Sequence, residues 1–421
     1  MATAGEPPSA STGFLGLLSF RRNQIASLEP TPQDELDSIE EFQSQVSSRL
    51  VSLLSTDDSS RFLSLSFLSK LLDSLLCTEL EFRALLPLLL SRNPSILSKP
   101  PSDKLTNDLL DRAVKSLDLC NAVSLSLHAM RHSHRQARIA ASCLLQSEHL
   151  GEAQMSRARR ALKKLLGGVF NRTGSSGSGT SANGGFASGS SICRDGSFLH
   201  SKSLSFSVSK NWSARQQVQA MSAHLAAPRQ ATVTDAAGGL TMAVYTMSSY
   251  LVFVMWVLVS AVPCHDRVGT NGTVNATMPP PPPPPKHLQW AAPMVTLQEK
   301  ITEEWKRKDK KACAGGLLAE MQAVEKSARW LMEWVEEGVE EGGPLIEEDR
   351  AAEVAIRAAD LEESCNLLEE GLEPFERQVR AVFHRVVSSR AEVIGYLDDS
   401  MRSAKSHGHG NVGLPPLPGG M

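Results

Sequence analysis

The sequence predicts an all-α protein, an elongated helical bundle built around one long apolar helix and interrupted by disordered linkers. Three observations carry that prediction. Aromatic residues make up only 5% of the 421-residue chain, and its apolar residues are chiefly Leu, Ala and Val, a composition that favours helix over sheet. Apolar residues recur at steps of three and four through much of the chain, the repeat of helices with one buried face. Residues 236–264 contain no Asp, Glu, Lys or Arg.

Residues 1–34 read as an N-terminal arm in which Phe14–Phe20 is a short apolar stretch closed by Arg21 and Arg22. It is too brief to cross a bilayer and suits docking on the body or on a lipid surface. Met1–Ala10 is polar, so no secretory signal peptide is expected. Ala2 excludes myristoylation, and the ending LPPLPGGM has no prenylation box.

An N-terminal helical region follows at 35–166. Leu36, Ile39, Phe42, Val46, Leu50 and Leu53 form one stripe of an amphipathic helix. The leucine-dense run at 61–90 reads as a buried helix that Pro87 and then Asn93-Pro94 bend or close. Ser102 or Asp103 caps the next helix, on which Leu110, Val114, Leu117 and Leu127 recur at core spacing. The segment 155–166, MSRARRALKKLL, is basic and amphipathic.

Residues 167–205 form a Gly/Ser-rich tract expected to be a disordered linker, and 206–235 an amphipathic segment that becomes helical near Trp212. The apolar helix at 236–264 carries Val244, Tyr245, Leu251, Phe253, Val254, Trp256, Val257 and Leu258, and residues 241–262 are long enough to cross about 30 Å of hydrocarbon. Thr241, Thr246, Ser248, Ser249 and two tyrosines dilute its hydropathy, so a buried core helix meets the same pattern. The sequence favours the span and leaves burial open, and the flanking arginines do not settle an orientation.

Residues 265–293 read as a Pro-rich linker whose heptaproline at 279–285 is an extended spacer, with recognition by a partner domain as the lesser use. A C-terminal helical region occupies 294–402. Leu317, Met321, Val324, Leu331 and Val335 follow the helical repeat until EEGGP breaks it. From Glu347 onward, Val354, Leu361, Cys365, Leu368, Leu372, Phe375, Val379, Val382, Val386 and Val393 lie on one seam, suited to packing on other helices or to a coiled coil. Residues 403–421 form a tail expected to be disordered.

Charge divides the chain. Residues 1–230 hold 25 Lys and Arg against 19 Asp and Glu, whereas 231–421 hold 18 against 27, an asymmetry that steers the halves towards each other or towards different partners. The seven cysteines are widely spaced, with no C-x-x-C pair, as expected of small apolar residues in a reducing compartment.

Signals for catalysis are weak. No Gly-Lys pair exists to build a P-loop, and Gly177-x-Gly179-x-x-Ala182 sits in a Gly/Ser tract with no strand before it. His128 and His132 share a helix face without a third ligand and beside Arg131, Arg135 and Arg138, which reads as a solvated basic face. Catalytic, cofactor and metal sites are therefore not expected, nor is a small-molecule substrate. The clusters Arg157–Lys164 and Lys306–Lys311 lack interleaved aromatics, which argues against nucleic acid and for anionic lipid headgroups or plain solvation. Asn271-Gly-Thr and Asn275-Ala-Thr match glycosylation acceptors, and cytosolic exposure without sugar is the preferred reading.

Four stretches carry a resemblance: SFRRNQIASLE at 19–29, FSVSKNWSARQQVQAM at 206–221, VYTMSSYLVFVMWVLVSAVPCHDR at 244–267 and GLEPFERQVRAVFHRVVSSRAE at 371–392. Together they resemble a plant family that includes the BYPASS-related proteins and the ROH proteins that bind an exocyst subunit. The resemblance implies a non-enzymatic, membrane-associated or cytoplasmic adaptor that binds an exocyst subunit and supports secretion, such as cell-wall or mucilage deposition. A regulator of a mobile developmental signal is the alternative it implies. On physical grounds the candidate interaction surface comprises the N-terminal amphipathic helix, the basic residues Arg157, Arg160, Lys163 and Lys164, and Phe375, Arg377 and Val379 of the C-terminal seam.

Overall fold

The structure, a computed structural model, describes residues 31–55, 62–91, 93–145, 151–167, 212–228, 236–264, 278–309, 316–340 and 348–408. The Phe14–Phe20 stretch, nearly all of the Gly/Ser tract, the acceptors at Asn271 and Asn275, and the tail beyond Gly408 lie outside the described residues.

Nine α-helices and one short 3-10 helix make up the described fold, in which no strand occurs. Helix α1, Pro32–Leu54, opens on a capping box: the Thr31 hydroxyl accepts from Asp34 N–H at 3.2 Å while the Asp34 carboxylate accepts from Thr31 N–H at 3.0 Å. Pro32 stands at the first helical position, where its missing N–H costs nothing. Ile39, Phe42, Val46, Leu50 and Leu53 are buried as the stripe predicts, but Leu36 is exposed because Glu35 occupies the inward position one turn before Ile39. Helix α2, Leu65–Ser91, runs through Pro87 with Leu85, Leu86, Leu89 and Leu90 still buried, and it closes before Asn93-Pro94, where the 3-10 helix Pro94–Ser98 starts.

Helix α3, Ser102–Leu145, is 44 residues long, about 65 Å, and its most extensive pairing is with α9, Glu348–Gly408. Between them in sequence come α4, Glu152–Leu165; α5, Ala214–Ser222; α6, Ala236–Ala261; α7, Ala291–Asp309; and α8, Ala319–Glu340. All ten seam residues from Val354 to Val393 are buried, so the α9 seam is satisfied by α2, α3 and α8 of the same chain. α9 also continues to Gly408, taking 403–408 out of the expected tail.

The two sequence halves share one continuous hydrophobic core. Their charge asymmetry is expressed between them: Arg83 on α2 pairs with Glu392, Arg131 on α3 lies 2.5 Å from Glu376, and Arg138 pairs with Glu369, each carboxylate being on α9. Of the two destinations the charge pattern allowed, these pairs take the halves towards each other.

At the centre runs α6, with α1, α2, α3 and α5 packed around it. It is long and apolar enough to cross a membrane by length and composition, and 94% of its most apolar window is buried inside the protein. Some of the diluting polar groups find partners within the protein, whereas the Thr246 and Ser248 hydroxyls are buried without one among the described residues. Thr241 and Ser249 donate to the carbonyls of Gly238 and Tyr245 on their own helix, at 2.9 and 2.8 Å. The Tyr250 hydroxyl meets Ser74 Oγ of α2 at 2.6 Å, and burial pushes its pKa up to about 12.

The end of α6 is stitched to the start of α8. Leu317 and Leu318 N–H donate to the Ser260 and Ala261 carbonyls at 3.1 and 3.0 Å, and Ala319 N–H to the Leu63 carbonyl at 3.2 Å. Gly316 permits this approach: its φ is +40°, and a Cβ there would stand 2.3 Å from the Ala261 carbonyl oxygen.

Candidate interaction surfaces

The basic segment forms α4, whose inward face is Ala158, Ala161, Leu162 and Leu165 at helical spacing, laid on α3 and α8. Glu152 in the first turn and Lys163 and Lys164 in the last complement the helix dipole. Arg157, Arg159, Arg160, Lys163 and Lys164 all stand exposed on the outer side. Four of these were singled out in the sequence, and the fold gathers them into one cationic strip whose apolar underside is already used. Such a strip can meet phosphate or carboxylate groups presented by a surface.

The other candidate residues separate. Phe375 and Val379 are buried in the α9 seam, and only Arg377 of the three faces solvent. This corrects the surface reading: the apolar periodicity that suggested a docking face is consumed by intramolecular packing. The buried Glu376 beside them holds Arg131 at 2.5 Å and Arg380 at 2.9 Å, with His128 Nε2 at 3.8 Å. His128 thus lies at a salt-bridge cluster, and among the described residues no group of three or more His, Cys, Asp or Glu could hold a metal.

The eight residues named on the apolar helix, Val244, Tyr245, Leu251, Phe253, Val254, Trp256, Val257 and Leu258, are each 4% exposed or less, against protein. Trp256 packs near Phe253, with ring centroids 6.3 Å apart, and Tyr245 near Trp290 at 6.1 Å. Among the described side chains of α6 only Val259 is even partly exposed, so as folded the helix turns its apolar surface to protein.

Two features escaped the sequence reading. Glu79 on α2 is 3% exposed and lies 3.8 Å from Arg83 and 3.5 Å from Arg385. Burial pushes its carboxyl above the usual range, although the nearby Ser389 hydroxyl and the two guanidinium groups pull the other way. Beside it, residues including Leu75, Phe82, Leu109, Met247 and Val386 line a cavity of about 40 Å³, room for a water molecule and too small for a metabolite. Cys120 and Cys365 are pushed by burial up to about 12, which leaves both thiols protonated and unreactive. The second feature is the seating of the heptaproline, which the sequence presents as an extended spacer. It lies on the body, with Met278, Pro281 and Pro284 buried.

Comparison with known proteins identifies the family. No solved structure gives a significant match. Among curated proteins, the chain is 38% identical over 418 residues to Protein ROH1A of Arabidopsis thaliana, covering 92% of this chain and 96% of that protein. It is 36% identical over 393 residues to Protein ROH1D of the same plant, covering 89% and 94%. The family model described as Protein ROH1-like matches residues 7–397, and with relatives this similar along nearly their whole length the chain belongs to the ROH1-like family.

Proposed function

We propose that the protein is a non-enzymatic adaptor that binds an exocyst subunit and supports polarised secretion, held peripherally at the cytoplasmic face of a membrane by the α4 strip. The observation that carries the reading is the full-length similarity to Protein ROH1A, together with the exposed cations of α4 on an otherwise self-satisfied bundle. With α6 and the α9 seam spent on the core, the exposed cations of α4 are left free to meet a membrane surface. Basic helices of this kind reach anionic headgroups without insertion. The test is a binding assay of the full chain against purified exocyst subunits at physiological salt. Saturable association with one subunit is expected. Absence of association with every subunit, together with normal secretion in a knockout, would overturn the adaptor reading in favour of a regulator of a mobile signal.

A further inference from the structure

A polyproline helix has three residues per turn, so its side chains form three lengthwise ridges. In the heptaproline strap one ridge, Met278, Pro281 and Pro284, is buried against the body, while Pro279, Pro280, Pro282 and Pro283 are exposed. Burial at every third position is the signature of that geometry. The strap is fixed at several points: Gln298 Nε2 donates to the Pro281 carbonyl at 3.4 Å, Ser47 Oγ donates to the Gln289 carbonyl at 3.0 Å, and Trp290 is fully buried beside Tyr245. Proline has no N–H, so the segment cannot be claimed by strand pairing.

We infer that the two outward ridges of Pro279–Pro285 are a docking ligand for a proline-reading domain with an aromatic-lined groove. Such grooves take a preformed polyproline helix, and a groove can grip two ridges of a three-sided prism while the third points away. Here the third ridge is the one the body holds. The exposed run is about 20 Å long, enough for two successive groove pockets. Because the bundle has already ordered the strap, binding costs less conformational entropy than it does for a free peptide. A pure spacer would not need its inner ridge seated in the body.

The test titrates the full chain with a panel of purified WW, EVH1 and SH3 domains, following the fluorescence of each groove tryptophan, with a synthetic heptaproline peptide as competitor. At least one domain should bind the chain more tightly than it binds the peptide, and the peptide should compete. The double variant Pro280→Ala/Pro283→Ala should weaken binding about tenfold or more at an unchanged thermal midpoint, whereas Pro281→Ala/Pro284→Ala should lower the midpoint. Three results would overturn the inference: no domain binds, a domain binds the free peptide but not the chain, or the exposed-ridge variant binds as the parent does.

Discussion

Placing a carboxylate at Val254 asks directly what surrounds α6. Val254 has 0% exposure, and neighbours along the same helix such as Leu251, Val257 and Leu258 are at 2% or less. An aspartate there has no charged partner on α6, since the helix carries none. Loss of the valine side chain from an apolar site costs about 2 kcal/mol. Keeping the aspartate un-ionised at neutral pH, against an ordinary carboxyl value near 4, costs a further ~4 kcal/mol. Together these rival the ~5–15 kcal/mol that holds a domain folded. In urea unfolding at pH 7, Val254→Asp should therefore be unfolded or nearly so, Val254→Ala should lose about 2 kcal/mol, and Leu125→Asp, at a site 67% exposed, should lose less than about 0.5 kcal/mol. The aspartate's folded pKa is raised, so its penalty shrinks as pH falls towards the unfolded value, and Val254→Asp should recover part of its stability near pH 4.5. A Val254→Asp protein with the parent's urea midpoint, or with a deficit independent of pH, would refute the reasoning. Detachment from membranes without unfolding would point instead to a helix that meets lipid.

Other outcomes follow from particular contacts. Gly316→Ala should cost about 2 kcal/mol or more, because a Cβ would stand 2.3 Å from a backbone oxygen at a φ of +40°; a denaturation midpoint equal to the parent's would contradict the α6–α8 junction. For Glu79 the folded carboxyl is raised, so its contribution is present below the unfolded carboxyl range and lost as pH rises through the folded value. The stability of the parent minus that of Glu79→Gln should accordingly fall as pH rises from about 4 to 7, and a difference that rises instead would mean that Arg83 and Arg385 outweigh burial. Replacing Arg157, Arg160, Lys163 and Lys164 by Ala should leave the thermal midpoint unchanged, since all four are exposed. The same variant should lower affinity for phosphatidylserine vesicles by two to three orders of magnitude, at about 1 kcal/mol per cation near an anionic surface; equal binding would remove α4 from the membrane contact.

Much of the fold was legible because periodicity is local. The stripe of α1 from Ile39 to Leu53, the core positions of α8 and the whole α9 seam could be read from spacing, and each proves buried. What spacing does not encode is the identity of the partner surface. Phe375 and Val379 look the same in sequence whether they meet α3, a second chain or an adaptor's target. The same ambiguity governs α6: lipid and a helical sheath both select uncharged residues, and the discriminating contact, Tyr250 with Ser74, joins positions 176 residues apart. α3 is less legible: Val114, at core spacing in the sequence, stands exposed, and the buried face is largely Ala, Ser and Cys, including Ala137, Ala140, Ala141 and Cys143, which leaves little hydropathy contrast to mark it. Gly316 and the seating of the heptaproline are tertiary events with no local signal. The basic strip of α4 was readable in full, since cations opposite a short apolar face must point to solvent when that face is covered.

The central claim, that protein encloses α6, is tested most directly by amide hydrogen exchange on the full chain in detergent-free buffer. The amides of Val244–Leu258 should exchange no faster than those of the buried Leu68–Leu75 turns of α2, both opening only with global unfolding. Rapid exchange along α6 in buffer, with protection appearing only when vesicles are added, would contradict it.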